Sequence, residues 1–148
     1  MNAPRLFSTF ILRKQLFGLD ISEVQEVLRE QATTPVPLAP AAVVGLMNLR
    51  GQIVTVIDLR RQLSLGGDPL GGAGMNMVVR SPEGPVCLVI DEVGDVVEAD
   101  EKAFEPLPDT VEPFVRDIIK GVYKLETRLL HVLDVKKAIE LDGRSKTA

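Results

Sequence analysis

The sequence predicts a mainly β fold built from two similar half-domains, and two observations support this prediction. First, residues 45–63 (GLMNLRGQIVTVIDLRRQL) match residues 121–139 (GVYKLETRLLHVLDVKKAI) in their apolar spacing. A shorter pair of segments, residues 19–27 and 88–96, repeats in the same way. Second, the chain contains many short apolar runs separated by turn residues, which is typical of small β-barrels. Repetition over this length indicates that both halves share one backbone plan.

The composition indicates a single folded domain. The chain has 148 residues and is 45% hydrophobic, which is enough to bury a sizeable core. Its apolar runs are far shorter than the ~20 residues of a membrane helix, and its start lacks the continuous apolar stretch of a secretory signal. One cysteine, Cys87, allows no internal disulfide, which favours the cytoplasm. A net charge of −4 opposes nucleic-acid binding, so we expect protein partners.

The first half, about residues 6–66, is predicted to open with a hairpin. Apolar runs at 7–12 and 16–21 flank a short polar turn. In residues 22–29, apolar side chains then recur at i, i+3 and i+4, which predicts about two turns of amphipathic helix.

Prolines and a glycine mark the boundaries of the elements predicted in the rest of this half. Three prolines within residues 33–40 favour an extended edge or a crossover. Pro40 before an apolar run predicts a helix of one or two turns that ends at the loop of Arg50 and Gly51. Residues 52–59 should form an interior strand, because Ile53, Ile57 and Leu59 lie on one face and Val54 and Val56 on the other.

A glycine-rich connector, residues 64–76, is predicted to be mobile and to join the halves. The second half, about residues 77–140, should begin with a hairpin around the turn SPEG, after which residues 91–98 repeat the pattern of 22–29. The remaining predictions are an irregular stretch with a helical turn at 101–114, a strand at 129–135, a closing helix at 135–141 and a disordered tail at 143–148. We expect residues 1–142 to form one domain.

Groups that could support catalysis are few. His131 is the only histidine and lies within an apolar strand, where a half-buried, hydrogen-bonded side chain is the expected role. Cys87 lies in VCLVI, where a thiol behaves as a small hydrophobe. One histidine and one cysteine cannot supply the four ligands of structural zinc. We therefore expect no enzyme activity, no cofactor and no metal.

A hydrolase that needs no cofactor is the alternative from another functional class. It would combine His131 with a run of carboxylates, Asp91, Glu92, Asp95, Glu98, Asp100 and Glu101. These acids do not follow a calcium-loop pattern, and such charge usually solvates a surface.

The two repeats differ at Arg50 and Gly51, which face Glu126 and Thr127 in the second copy. A feature present in only one copy is not required by the shared fold, so this loop indicates recognition. A guanidinium buried alone is very costly, so Arg50 must face water or find a carboxylate, and Glu26 is the candidate. Arg50 could brace the loop, bind a partner, or do both.

The apolar positions after the first hairpin allow two interpretations. Ile21, Val24, Val27 and Leu28 could simply belong to the core. Two half-domains placed side by side also leave a cleft, and matched segments at Val24 and Val93 could provide its walls for a partner helix.

Several of these segments together resemble a known family. FGLDISEVQEVL, TPVPLAPAAVVGLMNLRGQIVTVIDLRRQL, VIDEVGDVV and LLHVLDVKKAI are similar to the CheW-like chemosensory adaptors over about residues 6–140. The resemblance implies two SH3-like five-stranded β-barrels and no catalysis. It also implies an adaptor that couples chemoreceptors (methyl-accepting proteins) to a CheA-type histidine kinase. Such a protein would be cytoplasmic and recruited to membrane receptor arrays.

The resemblance also assigns roles to individual residues. The implied receptor-binding positions are Ile21, Val24, Val27 and Val97. The implied kinase-binding positions are Asn48, Arg50, Gly51 and Asp58, with Glu26 and Arg50 forming a structural ion pair. A second kinase contact would involve Glu105, Asp109 and Thr110. In that loop Glu105 stands where a basic residue is typical and Thr110 where an aromatic is typical. A decoy paralogue that binds only the kinase is the alternative within the family.

Overall fold

Two β-sheets and a few short helices make up the structure, a computed structural model that describes residues 4–29, 31–65 and 74–140. The strands are β1 (Arg5–Leu12), β2 (Gln15–Asp20), β3 (Val24–Arg29), β4 (Val43–Leu49), β5 (Gln52–Asp58), β6 (Met75–Val79), β7 (Val86–Ile90), β8 (Glu92–Ala99), β9 (Phe104–Glu105), β10 (Ile119–Lys124) and β11 (Leu129–Leu133). The helices are α1 (Leu59–Gln62), α2 (Pro113–Ile118) and α3 (Val135–Ala138), with 3-10 turns at Ile21–Glu23 and Glu101–Ala103. The predicted mainly β fold with short helices is confirmed.

The two sheets follow one plan. Their strand orders are β8-β1-β2-β11-β10-β9 and β3-β6-β7-β5-β4. When the two-residue β9 is set aside, each sheet has an edge strand, then a hairpin, then a second hairpin. The hairpins meet through parallel pairs, β2 with β11 and β7 with β5. The duplication in the sequence therefore corresponds to two five-stranded units of the same topology, with β9 as an addition to one of them.

The sheets do not coincide with the sequence halves at 6–66 and 77–140. The five-stranded sheet takes all its strands from the continuous segment 24–90, whereas the six-stranded sheet combines β1 and β2 with β8 to β11. The division at the connector is therefore corrected. The physical reason is that the β1–β2 hairpin pairs with β8 and β11, which come much later in the chain. The chain passes between the sheets at residues 20–24 and at Asp91.

Two predicted helices are strands. Residues 22–29 form a 3-10 turn followed by β3, and the segment after Pro40 becomes β4. Pro40 only closes a turn, in which its carbonyl accepts from the Val43 amide. Both segments satisfy their backbone groups through ladders, β3 with β6 and β4 with β5, and this pairing overrides the local helical preference.

Other sequence predictions agree with the structure. β1 and β2 form the first hairpin, whose turn places Arg13 and Lys14 in the left-handed region. β5 lies between β4 and β7 as an interior strand, although Ile53 at its start is exposed. β6 and β7 form the second predicted hairpin. The stretch 101–114 contains the 3-10 turn, β9 and the start of α2.

Parts of two predictions lie outside the described residues. The glycine-rich connector was placed at 64–76, and its central residues 66–73 are not among those described. The predicted tail at 143–148 is likewise outside them.

The core consists of three clusters. The largest lies between the sheets and contains residues of both, including Phe10, Phe17, Met77 and Leu88. A second cluster belongs to the five-stranded sheet and a third to the six-stranded sheet. Each sheet therefore packs one face on its own cluster and the other face on its neighbour.

Candidate protein-interaction site

The turn between β4 and β5 carries the residues that distinguish the two repeats. Leu49 pairs with Gln52, and Arg50 and Gly51 between them have φ angles of 51° and 89°. A two-residue hairpin turn with both central residues in the left-handed region matches the twist of the strands. The Asn48 Oδ1 atom accepts from the Gly51 amide at 2.7 Å. We refer to residues 48–51 as the NLRG turn.

Arg50 forms an ion pair with Glu26, as the sequence analysis predicts. Glu26 lies on β3 and Arg50 follows β4, and these strands are the two edges of the five-stranded sheet. The hydrogen bond from Arg50, followed by that from Gln25, lowers the pKa of the Glu26 carboxyl. The Arg50 side chain is 65% exposed, so this pair adds little to stability. Its effect is to fix the NLRG turn beside β3 and leave the turn on the surface.

The predicted receptor-binding residues around β3 lie next to the cluster between the sheets. Val24 faces Val79 and Val27 faces Met77 across the β3–β6 pair. Both valines are half-buried against this cluster, whereas Ile21 is 42% exposed. Val24 and Val27 therefore pack on the core and keep part of their surface accessible, and the receptor-binding role of all three residues stays a prediction.

The second wall comes from β8, the equivalent edge strand of the other sheet. Val93 and Val96 are 41% and 54% exposed, and Val93 faces Phe10 of the cluster between the sheets. Val97, the residue expected on this wall, instead faces Phe7 and packs on the inner cluster of the six-stranded sheet. Val96, and not Val97, therefore lies on the same face of β8 as Val93. The repeat contained this signal, because Val96 is the counterpart of Val27. We call Ile21, Val24, Val27, Val93 and Val96 the apolar wall residues.

Arg80 holds the turn that begins the first wall. Its Nη1 atom donates to the carbonyls of Ser22 and Val24 at 3.0 and 2.8 Å. Burial raises the pKa of Glu23 within this turn, while the charge of Lys120 opposes that shift. Sequence reasoning did not identify Arg80, because nothing local to residue 80 indicates that it meets residues 22–24.

Asp58 does not reach the surface. Its side chain is buried, accepts from the Arg60 amide at 3.0 Å and thereby caps α1. Asp134 caps α3 at the equivalent position by accepting from the Lys137 amide at 3.2 Å. The direct kinase contact expected at Asp58 is therefore corrected to a structural role that both repeats need.

The loop expected to make the second kinase contact includes β9 and the residues after it. β9 is the edge strand of the six-stranded sheet opposite β8. Glu105 on β9 pairs with Lys124 at 3.2 Å, and Asp109 pairs with Arg116 at 3.4 Å. Glu105, Asp109 and Thr110 are all exposed. They are accessible to a partner, but they present negative charge rather than the typical basic and aromatic side chains.

In the described part of the chain, His131 and the acids of the catalytic alternative lie apart. The His131 Nδ1 atom lies 2.9 Å from the Leu16 carbonyl, and the ring packs on Phe17, as expected for a half-buried histidine. β8, which carries three of the six acids, is three strands away from β11, or roughly 14 Å at ordinary strand spacing. Burial raises the pKa of the Cys87 thiol to about 12. No cluster of three potential metal ligands occurs among the described residues.

The geometry shows two similar β-sheets, each with exposed or half-buried apolar residues on an edge strand. The chain belongs to the CheW-like family, since the model of the CheW-like domain matches residues 7–142. It is similar to the chemotaxis protein CheW of Treponema pallidum, with 30% identity over 95% of this chain and 85% of the relative. The chemotaxis protein CheW of Rhizobium meliloti is 27% identical over 97% of this chain and 92% of its own length.

A solved structure supports the same assignment. The scaffolding protein TtCheW from Thermoanaerobacter tengcongensis superposes with a TM-score of 0.85 and 28% identity, and the match covers 97% of this chain and 92% of that protein. Among the described residues, no helix is both long enough and apolar enough to cross a membrane.

Proposed function

We propose that this protein is a non-catalytic chemosensory adaptor that couples chemoreceptors to a CheA-type histidine kinase. The apolar wall residues bind the cytoplasmic tip of a receptor. The surface around the NLRG turn binds the regulatory domain of the kinase. Binding both partners at once lets the state of the receptor reach the kinase. The adaptor itself remains cytoplasmic and is recruited to the receptor arrays.

The observation that carries the proposal is the exposure of Val93 and Val96 beside the cluster between the sheets. An exposed valine pair on an edge strand, with Ile21 exposed at the other wall, leaves apolar surface that a partner can cover. A helical partner places apolar side chains at i, i+3 and i+4 along one face, which suits the apolar residues that β3 and β8 each expose.

The kinase-binding assignment is supported by the surface around the NLRG turn. Asn48 and Arg50 are exposed, and Ile53, which faces Asn48 across the β4–β5 pair, is 64% exposed. An exposed isoleucine beside a fixed guanidinium offers both an apolar anchor and a charged group to a partner. The ion pair with Glu26 limits the rotamers of Arg50, which lowers the entropy lost on binding.

Calorimetric titration tests the proposal. The purified chain should bind a cognate kinase regulatory domain and a receptor-tip fragment independently, each at micromolar concentration. Arg50→Ala should weaken kinase binding and leave receptor-tip binding unchanged, and Arg29→Ala, at an exposed arginine of β3, serves as the matched control. The absence of heat with both partners at micromolar concentration would refute the adaptor function.

The same titrations distinguish the decoy paralogue. A protein that binds only the kinase would release heat with the regulatory domain and none with receptor-tip fragments.

The negative charge of Glu105 and Asp109 suits a kinase surface with basic residues. A charge reversal at Glu105 tests whether this loop contributes to kinase binding.

A further inference from the structure

A buried arginine joins the two sheets. Only 7% of the Arg60 side chain is exposed. Its Nη1 atom lies 3.3 Å from Asp91 Oδ1, and its Nε atom lies 3.6 Å from Asp58 Oδ1. The Nε and Nη2 atoms are buried without a hydrogen-bond partner. A buried cation with incomplete hydrogen bonding is costly and is kept only where its carboxylate partners hold it.

Asp91 occupies the point where the chain leaves the five-stranded sheet for the six-stranded sheet. It is the single residue between β7 and β8. Its Oδ2 atom accepts from the Arg13 amide at 2.8 Å, and its own amide donates to the Ile11 carbonyl at 3.1 Å. Asp91 therefore ties α1, through Arg60, to the β1–β2 hairpin and to the start of β8.

The second repeat lacks this arrangement. At the offset of the repeats, Arg60 corresponds to Lys136 and Asp91 corresponds to Ser22. Lys136 is exposed, and the turn at Ser22 is held through its backbone carbonyl by Arg80. The shared fold therefore does not require the Arg60–Asp91 pair. The exposed wall of Val93 and Val96 begins two residues after Asp91, on the strand whose start the pair holds.

We propose that Arg60 is a positioning residue for the partner cleft. Through Asp91 it fixes the start of β8 and thereby the placement of Val93 and Val96 relative to the wall on β3. This inference rests on the proposed function, because it assigns Arg60 to the receptor-binding wall. The Arg60 side chain is itself buried, so it would act on the receptor only through Asp91.

The test compares Asp91→Asn with Glu98→Gln, which removes the same charge from an exposed acid on β8. Asparagine can still accept from the Arg13 amide, but it loses the ionic attraction to Arg60. In the free protein, hydrogen exchange of the amides at 92–97 should accelerate about tenfold in Asp91→Asn, whereas exchange in β4 and β5 stays unchanged. Glu98→Gln should match the wild type throughout.

Binding provides the second readout. The Kd for the receptor-tip fragment should rise about tenfold in Asp91→Asn, while the Kd for the kinase regulatory domain changes less than about twofold. Arg60→Lys should shift both exchange and receptor-tip binding in the same direction, because one ammonium cannot reach both carboxylates. Arg60→Lys retains the positive charge, so it tests the positioning role of Arg60 if Asp91→Asn does not fold.

The outcomes separate the two proposals. Unchanged exchange at 92–97 together with wild-type receptor-tip binding would overturn the positioning role. If the wild type binds no receptor tip at all, the proposed function fails. The exchange experiment would still show whether Arg60 holds the start of β8.

Discussion

Gly45 and Gly121 lie at equivalent points of the two sheets, each pressed against a backbone carbonyl of a preceding segment. A Cβ atom on Gly45 would lie 2.4 Å from the Thr34 oxygen, and one on Gly121 would lie 2.6 Å from the Glu105 oxygen. Each glycine also follows a register shift in its strand pair. The close crossing of two backbones is thus a feature of the repeated unit.

Alanine at either glycine should destabilise the fold. Because an added Cβ atom would meet backbone atoms at Gly45, and the Phe104 ring as well as a backbone carbonyl at Gly121, Gly45→Ala and Gly121→Ala should each lower the free energy of unfolding by about 1–3 kcal/mol in urea titrations. Gly51→Ala is the comparison, since no atom lies within 4 Å of its Cβ position and only its positive φ angle opposes the change. Wild-type stability for Gly45→Ala would show that the strands can separate at little cost.

Lysine at Val96 should separate binding from folding. The exposed Val96 side chain allows a lysine to extend into water, so Val96→Lys should keep the melting temperature of the wild type and lose receptor-tip binding. Val24→Lys should also lower the melting temperature, because Val24 packs on the cluster between the sheets. Circular dichroism melts and calorimetry measure the two effects. Full receptor-tip binding by Val96→Lys would show that β8 is not part of the receptor-binding surface.

Cys87 should be unreactive in the folded protein. The side chain is fully buried, and its pKa is raised to about 12 by desolvation, so the thiolate is scarce at pH 8. Ellman's reagent should release no colour from the native chain and one equivalent after addition of guanidinium chloride. Reaction of the native chain within minutes would mean that β7 opens readily.

Asp20 should make a small, pH-dependent contribution to stability. The hydrogen bond from Arg5, followed by those from Ser22, lowers its pKa to about 2. Because the folded-state pKa lies below the ordinary value of about 4, the contribution is complete above that value and is lost as the pH falls through about 2. Asp20→Asn should therefore unfold more easily than the wild type at pH 7, and the difference should be much smaller at pH 2.

The expected size of this difference is ~0–1 kcal/mol, because both side chains are partly exposed and solvent screens the pair. Urea titrations at the two pH values measure it, and 1 M NaCl should reduce the difference at pH 7. A larger difference at pH 2 than at pH 7 would contradict the assignment.

The sequence predicted those elements that depend on patterns of neighbouring residues. The β1–β2 and β6–β7 hairpins, the interior strand β5 and the burial of Cys87 all follow from short-range patterns. The pairing of Glu26 with Arg50 was predicted from the cost of an unpaired guanidinium. The duplication was also evident, because a shared backbone requires shared apolar spacing.

The helix predicted at 22–29 was wrong for an identifiable reason. A β-bulge near Val24 places one extra residue on β3, so Val24 and Val27 face Val79 and Met77, which are two residues apart. β8 does the same, with Val93 and Val96 facing Phe10 and Ser8. A bulged strand therefore shows the i, i+3 spacing of a helix. Local periodicity cannot distinguish the two without the partner strand.

The placement of the hairpins could not be predicted from the sequence. The parallel pairs of β2 with β11 and of β7 with β5 join strands that are distant in the chain, and no short-range pattern records them. For the same reason the contact between Arg60 and Asp91 had no local signal.

The arrangement of the strands has a consequence for synthesis on the ribosome. The five-stranded sheet uses a continuous segment and can assemble once residue 90 has emerged. The β1–β2 hairpin is translated earlier still, yet one of its neighbours in the sheet, β8, comes after residue 90, and the other, β11, is the last strand in the described part of the chain. Until β11 and α3 are translated, the cluster around Phe10 and Phe17 lacks Leu133, Val135 and Ala138. We therefore expect the β1–β2 hairpin to keep apolar surface exposed until β11 has been translated, which would favour chaperone binding to the nascent chain.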